Sequence, residues 1–198
     1  MTNSENSTEF DQPSVQEVEQ AIRTLIRWAG DNPSREGLGE TPKRVARAYN
    51  HWFKGYSIDA IEMLNRTFEE TDGYHGLIVL KNVEFYSFCE HHIAPIVGRA
   101  HIGYVPNGRV VGISKIARLV EVYSKRLQIQ ERMTQQIANT LMDALKPCGV
   151  AVVIVAEHHC MISRGVAKHG ALMETKALLG CLATDEKYHQ EFLSSCLP

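Results

Sequence analysis

The sequence predicts an α+β domain: a four-stranded antiparallel sheet with helices on one face, preceded by a helical N-terminal segment. Three observations carry that prediction. Apolar residues recur with helical spacing from Val15 to Ala29 and again from Val45 to Phe53. From Leu77 onward the composition turns β-branched and aromatic. Two further helical patterns then separate two pairs of strand-like segments, giving the order strand, strand, helix, helix, strand, strand.

Each element has its own local reason. Residues 1–13 are polar and read as a loose tail. Ser14 and Glu17 form an S-x-x-E capping box ahead of Val15, Val18, Ile22, Leu25, Ile26 and Ala29, and Gly30 ends that helix. Thr41-Pro42 supplies an N-cap and a first-turn proline, with Val45, Tyr49, Trp52 and Phe53 as the expected buried face. A weaker helical turn spans residues 58–64, and "EETDGYHG" is a loop by composition. Strands are expected over 77–87 and 95–105, and the Asn-Gly of "VPNGRVV" marks a tight turn. Ser114 is expected to cap a helix with apolar Ile116, Leu119, Val120 and Tyr123. The next helix carries Met133, Ile137, Leu141, Ala144 and Leu145 and stops at "KPCG". "VAVVIVA" (150–156) is a nearly continuous apolar strand, a fourth strand lies within 171–179, and a last helix starts near Thr184. The organisation expected is one domain over 14–198, with helices over 14–75 and the sheet unit with its C-terminal helix over 76–198.

Composition narrows the function. With 21 Lys plus Arg against 23 Asp plus Glu, no strong net charge points to nucleic acid or a membrane surface, so an anionic ligand must be met by a local cluster. The first residues contain no secretory signal and no later apolar run reaches membrane-spanning length, so the chain reads as cytoplasmic. Five cysteines, an odd number, argue for free thiols, metal ligands or a catalytic thiolate over a disulfide framework.

Cys89 and His92 form a C-x-x-H pair within "YSFCEHHIAPIVG", and "EHHCM" places Cys160 at the end of the third expected strand. If the two strand ends meet, three ligands converge, and thiolate and imidazole at about 2.3 and 2.0 Å suit zinc with the fourth position open to water. Spacing leaves open a closed structural site in which His91, His158 or His159 is a fourth ligand. Cys148, Cys181 and Cys196 have no histidine at ligand spacing and read as small hydrophobes. On a strand, His158 and Cys160 share a face while His159 points away, so His158 is placed to work beside the metal. His91 is the other acid/base candidate, with Glu90 next to it to orient a ring.

No Walker or Rossmann motif is present. "GISKIAR" instead sets Ser114 at a helix start, with Lys115 and Arg118 three apart on one face; amides, helix dipole and cations together attract a polyphosphate, although the same pattern also describes a solvated helix end. Arg164 and Arg44 can add charge if the fold brings them in. Gln130 and Glu131 in "LQIQERM" stand where a carboxylate can accept from a guanine-like N–H edge, or where they simply start a helix.

The stretch from "SFCEHHIAPIVGRAHIGYVPNGRVVGISKIARLVEVYSKRLQIQERMTQQIA", with "VVIVAEHHCMISRGV" and "ETPKRVARAY", resembles GTP cyclohydrolase I over residues 14–195. The resemblance implies the tunnelling fold, ββααββ, assembled as a ring-shaped homodecamer with active sites shared between subunits. It implies conversion of GTP and water into 7,8-dihydroneopterin triphosphate and formate, the entry to folate or tetrahydrobiopterin synthesis. Cys89, His92 and Cys160 then match zinc ligands, and His91 and His158 match the acid/base histidines, with Glu90 assisting. Ser114, Lys115, Arg118, Arg164 and Arg44 match residues around the triphosphate and ribose, and Gln130 and Glu131 match the pair that anchors guanine.

The chemistry explains why a metal would be the larger contributor: zinc lowers the pKa of bound water from 15.7 to about 7, worth about 12 kcal/mol in deprotonation, whereas a general acid or base gives about 10² to 10⁴ in rate. One segment departs from the family pattern, since "METKALLG" has Lys176 and Ala177 after Thr175 where a Thr-Ser pair is usual. A zinc deaminase would need P-C-x-x-C, and Pro147-Cys148 lacks the second cysteine. An all-histidine pterin synthase does not fit two cysteine ligands. A catalytically weak zinc- or nucleotide-binding paralogue is the alternative reading.

Overall fold

Strong local signals set where the chain turns helical. In the computed structural model, which describes residues 11–65, 67–68 and 74–196 (of 67 and 68 the backbone only), α1 runs Val15–Trp28. The Ser14 amide donates to the Glu17 carboxylate at 2.8 Å and the Glu17 amide donates to Ser14 Oγ at 3.3 Å, so the expected capping box forms. The tail at residues 1–10 and the loop over 69–73 lie outside the described residues. Backbone contacts divide the chain into two compact units, 1–51 and 52–198.

In the first unit, α1 has an apolar stripe yet buries none of its residues; Leu25 is 63% and Trp28 88% exposed. Helix α2, Thr41–Trp52, begins at Thr41 itself rather than being capped by it. Its fully buried residues are Pro42 and Ala46, one turn apart, while Val45 and Tyr49 are half-buried. The expected large-residue face is therefore displaced by small residues, which reach full burial more readily than bulky rings do.

In the second unit, a 3₁₀ turn over Lys54–Ser57 leads to α3, Ala60–Leu64, capped by Asp59, whose Oδ1 accepts from the Ile61 and Glu62 amides at 2.9 and 3.0 Å. Then follow β1 (Thr67–Phe68), β2 (Ile78–Cys89), β3 (Pro95–Val105), β4 (Val110–Val111), α4 (Ile113–Ser124), β5 (Leu127–Gln128), α5 (Gln130–Leu145), β6 (Gly149–His158), α6 (His159–Ile162), β7 (Leu172–Gly180), α7 (Cys181–Thr184) and α8 (Glu186–Cys196). The main sheet has the order β5-β2-β3-β6-β7. Its four long strands are antiparallel neighbours, as predicted, and the two-residue β5 adds a short parallel edge to β2. The Asn-Gly turn is followed by β4, which pairs with β1 rather than folding back on β3.

Alternation along β6 explains how the sheet is covered. Val150, Val152, Ile154 and Ala156 join Ile116, Leu119 and Val120 of α4 and Met133, Ile137 and Leu141 of α5 in one core. At about 1.5–3 kcal/mol for each large apolar side chain buried, this face is the main source of stability. Ala151 and Val153 point the other way, to a smaller cluster with Leu77, Val105, Leu182 and Phe192, so the C-terminal helices cover one end of the second face. Gly180 ends β7 at φ +60, and a Cβ there would stand 2.2 Å from the Cys148 carbonyl oxygen, so glycine is required. The helix α5 stops at Lys146, left-handed at φ 48, ahead of Pro147. Among the described residues no helix is long and apolar enough to cross a membrane.

Candidate metal centre

The end of β2 and the start of β3 are joined by a turn with no slack. The Cys89 amide donates to the Ala94 carbonyl and the Ile93 amide to the Cys89 carbonyl, both at 2.9 Å, and the turn closes with Ile93 at φ 52. Glu90, His91 and His92 ride on this turn. In register, Ile96 of β3 faces His158 of β6, so the end of β6 lies beside the turn, and α6 begins there.

That juxtaposition brings the ligand atoms of Cys89, His92 and Cys160 within 4.8 Å of one another. Cys89 Sγ is 3.8 Å from His92 Nδ1. Cys89 is buried, Cys160 half-buried and His92 exposed, a gradient that leaves one side open. Burial, followed by the neighbouring Cys89 thiol, pushes the Cys160 thiol up. Two thiols crowded in this way are poor neighbours as thiolates unless a cation lies between them. Cys160 reaches the cluster from the one-turn helix α6 and not from the strand, because β6 ends at His158. Contrary to the expectation from the sequence, His158 and Cys160 therefore do not share one strand face; both reach the site because the chain bends between them.

The surrounding side chains form two sets. On one side, Arg132 grips Glu90 through two bonds of 2.7 and 3.2 Å and holds its carboxyl below the ordinary range, chiefly by that hydrogen bonding. Glu90 Oε1 lies 4.0 Å from His91 Nε2, and His91 is 66% exposed. Arg164 Nη1 donates to His92 Nε2 at 3.1 Å. On the other side, His158 Nε2 lies 2.8 Å from Gln130 Oε1, and burial pushes the His158 imidazole down. Glu131 is exposed and close enough for its charge to act on His158 in the opposite sense.

The phosphate-binding candidates are placed differently. The N-cap of α4 is Gly112, not Ser114, which sits exposed within the first turn. Gly112 has the non-helical backbone of a cap, φ −58 and ψ 136, and the helix starts there without a side-chain hydrogen bond. Lys115 Nζ donates to the Met63 carbonyl. Arg118 is exposed beside a cavity of about 210 Å³ shared with Lys54, Met63 and Glu121. Among the described residues no hydrogen bond or ion pair joins Ser114, Lys115 or Arg118 to the cysteine–histidine cluster. Arg44 belongs to α2. A larger cavity of about 780 Å³ opens on the opposite sheet face around Lys81, Arg99, His101 and Cys196, and contains none of the candidate residues. The donor chemistry, not cavity size, marks the site.

Sequence reasoning missed Arg132, Thr134 and the role of Thr175. Arg132 carried a signal, since it follows Gln130-Glu131 in the first turn of α5, but its partner Glu90 is 42 residues distant.

Two sequence comparisons with known proteins agree on one family. A sequence model described as GTP cyclohydrolase I matches residues 18–197. The chain is 50% identical to the GTP cyclohydrolase 1 of Allorhizobium ampelinum over 95% of this chain and 94% of that one. It is 53% identical to that of Bartonella quintana over 91% and 88%. Among solved structures, an apo archaeosine synthase QueF-Like is similar over 52% of this chain and 93% of its own, with a TM-score of 0.44 and 21% identity.

Proposed function

The chain belongs to the GTP cyclohydrolase I family and is a GTP cyclohydrolase, a hydrolase acting on GTP; from that premise we propose that it converts GTP and water into 7,8-dihydroneopterin triphosphate and formate at a zinc site formed by Cys89, His92 and Cys160. The observation that supports the metal is the convergence of two thiols and one imidazole within 4.8 Å from sequence positions 71 residues apart. Two sulfurs and one nitrogen fit zinc, and three protein ligands leave a coordination position for catalysis. When bound, zinc supplies a Lewis acid that makes water nucleophilic at neutral pH.

The rest falls to the chain's own side chains. His158, held in place by Gln130, exchanges a proton with the guanine ring nitrogens as the ring is opened at C8. His91, beside the Arg132-fixed Glu90 and open to solvent, handles protons at the ribose during rearrangement. His92 can carry its hydrogen on only one nitrogen: when Nδ1 is the ligand atom, Nε2 keeps the hydrogen, and Arg164, always a donor, must let go. Its guanidinium is then free for the triphosphate, with Ser114, Lys115, Arg118 and Arg44 as further cationic or hydroxyl contacts and Glu131 facing the guanine edge.

The test is purified protein with GTP, with and without a chelator, read out as formate and as a fluorescent pterin after oxidation. Turnover that ceases on chelation and returns with zinc is expected. Cys89→Ser is expected to lose bound zinc and formate release together; full turnover in that variant would overturn the site.

A further inference from the structure

Gln130 opens α5 with its side chain buried, 2% of the residue being exposed, and every polar atom of its amide engaged. Nε2 lies 3.0 Å from the Ile154 carbonyl, 3.0 Å from the Met173 carbonyl and 3.1 Å from Thr175 Oγ1. Carbonyl oxygens only accept, so the atom facing them must be the NH₂, and the amide orientation is fixed by chemistry. Oε1 is therefore the atom at 2.8 Å from His158 Nε2, and since it only accepts, Nε2 must carry the hydrogen.

The direction propagates. Thr134 Oγ1 lies 2.7 Å from the Gln130 carbonyl, which only accepts, so Thr134 donates there. Thr134 and Thr175 hydroxyls are 2.6 Å apart, and with the Thr134 hydrogen already committed, Thr175 is the donor between them. The Thr175 lone pairs are then left for the Gln130 amide, whose two hydrogens are shared among three acceptors, the Ile154 and Met173 carbonyls and Thr175 Oγ1, one hydrogen being bifurcated. Hydrogen bonds run one way round a closed ring, from the Gln130 side chain through Thr175 and Thr134 back to the Gln130 backbone.

We propose that Gln130, Thr175 and Thr134 are positioning residues that hold His158 as its Nε2–H tautomer, so that Nδ1 is the nitrogen exchanging a proton with the substrate. This rests on the reading of His158 as acid/base and deepens it. It gives Gln130 a task other than the guanine contact that the family resemblance implies: its donors and its acceptor are already engaged inside the protein. The guanine N–H edge is left to the exposed Glu131. Thr175 is also the residue that begins the departure from the family's usual sequence, and the ring shows why its hydroxyl is needed even though Lys176 and Ala177 follow it.

Two measurements test this. In the zinc-loaded wild-type protein, nitrogen-15 spectra of labelled histidine, with the His158 signal identified by its loss in His158→Asn, are expected to show hydrogen on Nε2 and a bare Nδ1. The opposite tautomer overturns the proposal whether or not GTP is turned over. In kinetics, Thr175→Val is expected to lower kcat about 10- to 100-fold, as loss of an orienting partner does, with KM for GTP changed less than about twofold, the pattern of a lost transition-state contact. Thr175→Ser, which keeps the hydroxyl, is expected to recover most of kcat. A raised KM with kcat retained, or a serine variant no better than valine, overturns it and returns Gln130 to substrate binding. If instead the wild type releases no formate from GTP, the reading of the reaction fails while the tautomer result stands apart.

Discussion

Ile93 holds a left-handed backbone conformation that its own side chain disfavours. A β-branched side chain at φ 52 costs about 1–2 kcal/mol, and Ile93 is 46% exposed, so burial returns little of it. The strain is tolerated because the turn from Cys89 to Ala94 is closed by two backbone bonds and has to present His92 to Cys89. Ile93→Gly removes the strain but adds about 0.5–1 kcal/mol of backbone entropy to be lost on folding and gives up a half-buried side chain, so the net change is within about 1 kcal/mol. Its expected signature is therefore a melting temperature close to wild type with zinc affinity lowered about 10-fold, because His92 is held less tightly; titration with a zinc chelator and thermal unfolding measure the two. At this scale the cysteine–histidine cluster was legible in the sequence, since C-x-x-H and H-H-C are chemically conspicuous. The sequence did not show what the side chains around the cluster do. Gln130 could be read toward a purine or as the start of a helix, and its hydrogen bonds to Ile154, Met173 and Thr175, 24 to 45 residues distant, had no local signal in either reading.

Among elements, the long ones and the short helix α3, expected as a turn over 58–64, were legible, and the two-residue strands were not. Apolar alternation and helical spacing located β2, β3, β6, α4 and α5 because each buries a continuous stripe, whereas β7, located as well, buries only Ala177 fully. The two-residue strands β1, β4 and β5 exist only because a partner strand passes nearby, and no local pattern announces them. The register shift of β2 between Leu80 and Val83 coincides with Asn82 at φ 57, a residue type that tolerates the left-handed region, so a bulge there had a faint signal. The loop after α1 supports a sharper test. Asp31 accepts two bonds from Arg35, both at 2.8 Å, and one from the Asn32 amide at 2.7 Å. The Arg35 guanidinium chiefly, then that amide, holds the Asp31 carboxyl at about 2 instead of 3.8. A depressed carboxyl stabilises the folded loop above its unfolded value, so the contribution is fully present above 3.8 and is lost as pH falls through about 2. Carbon-13 NMR titration of the Asp31 carboxyl is expected to place its midpoint near 2 in the native protein. Arg35→Met is expected to move it up toward 3.8.

At the scale of the whole molecule, one copy of the chain leaves several surfaces unfinished. The outer edge of β7 over Leu172–Gly180 and most of the outer edge of β2 pair with no strand among the described residues, and long open edges are places where another chain can add on. The helix α1 is amphipathic and buries nothing. The Cys89–His92–Cys160 cluster and the Ser114–Lys115–Arg118 group are both present, yet no described bond ties one to the other. All three features fit a ring of copies, the decamer expected from the family resemblance, in which the metal half of one site meets the phosphate half contributed by a neighbour. Sedimentation is then expected to give a mass several times 22.3 kDa. A stricter consequence concerns activity. On the proposed assignment Cys89→Ser removes the metal half and Lys115→Ala the phosphate half, so each variant alone is expected to be nearly inactive. Dissociated, mixed in equal amounts and reassembled, they place an intact metal half against an intact phosphate half at about a quarter of the shared sites, and formate release returns to about that fraction of wild type. Sites built within single chains cannot be repaired by mixing, because every chain then carries one broken half; a reassembled mixture as inactive as its components would show that each copy works alone.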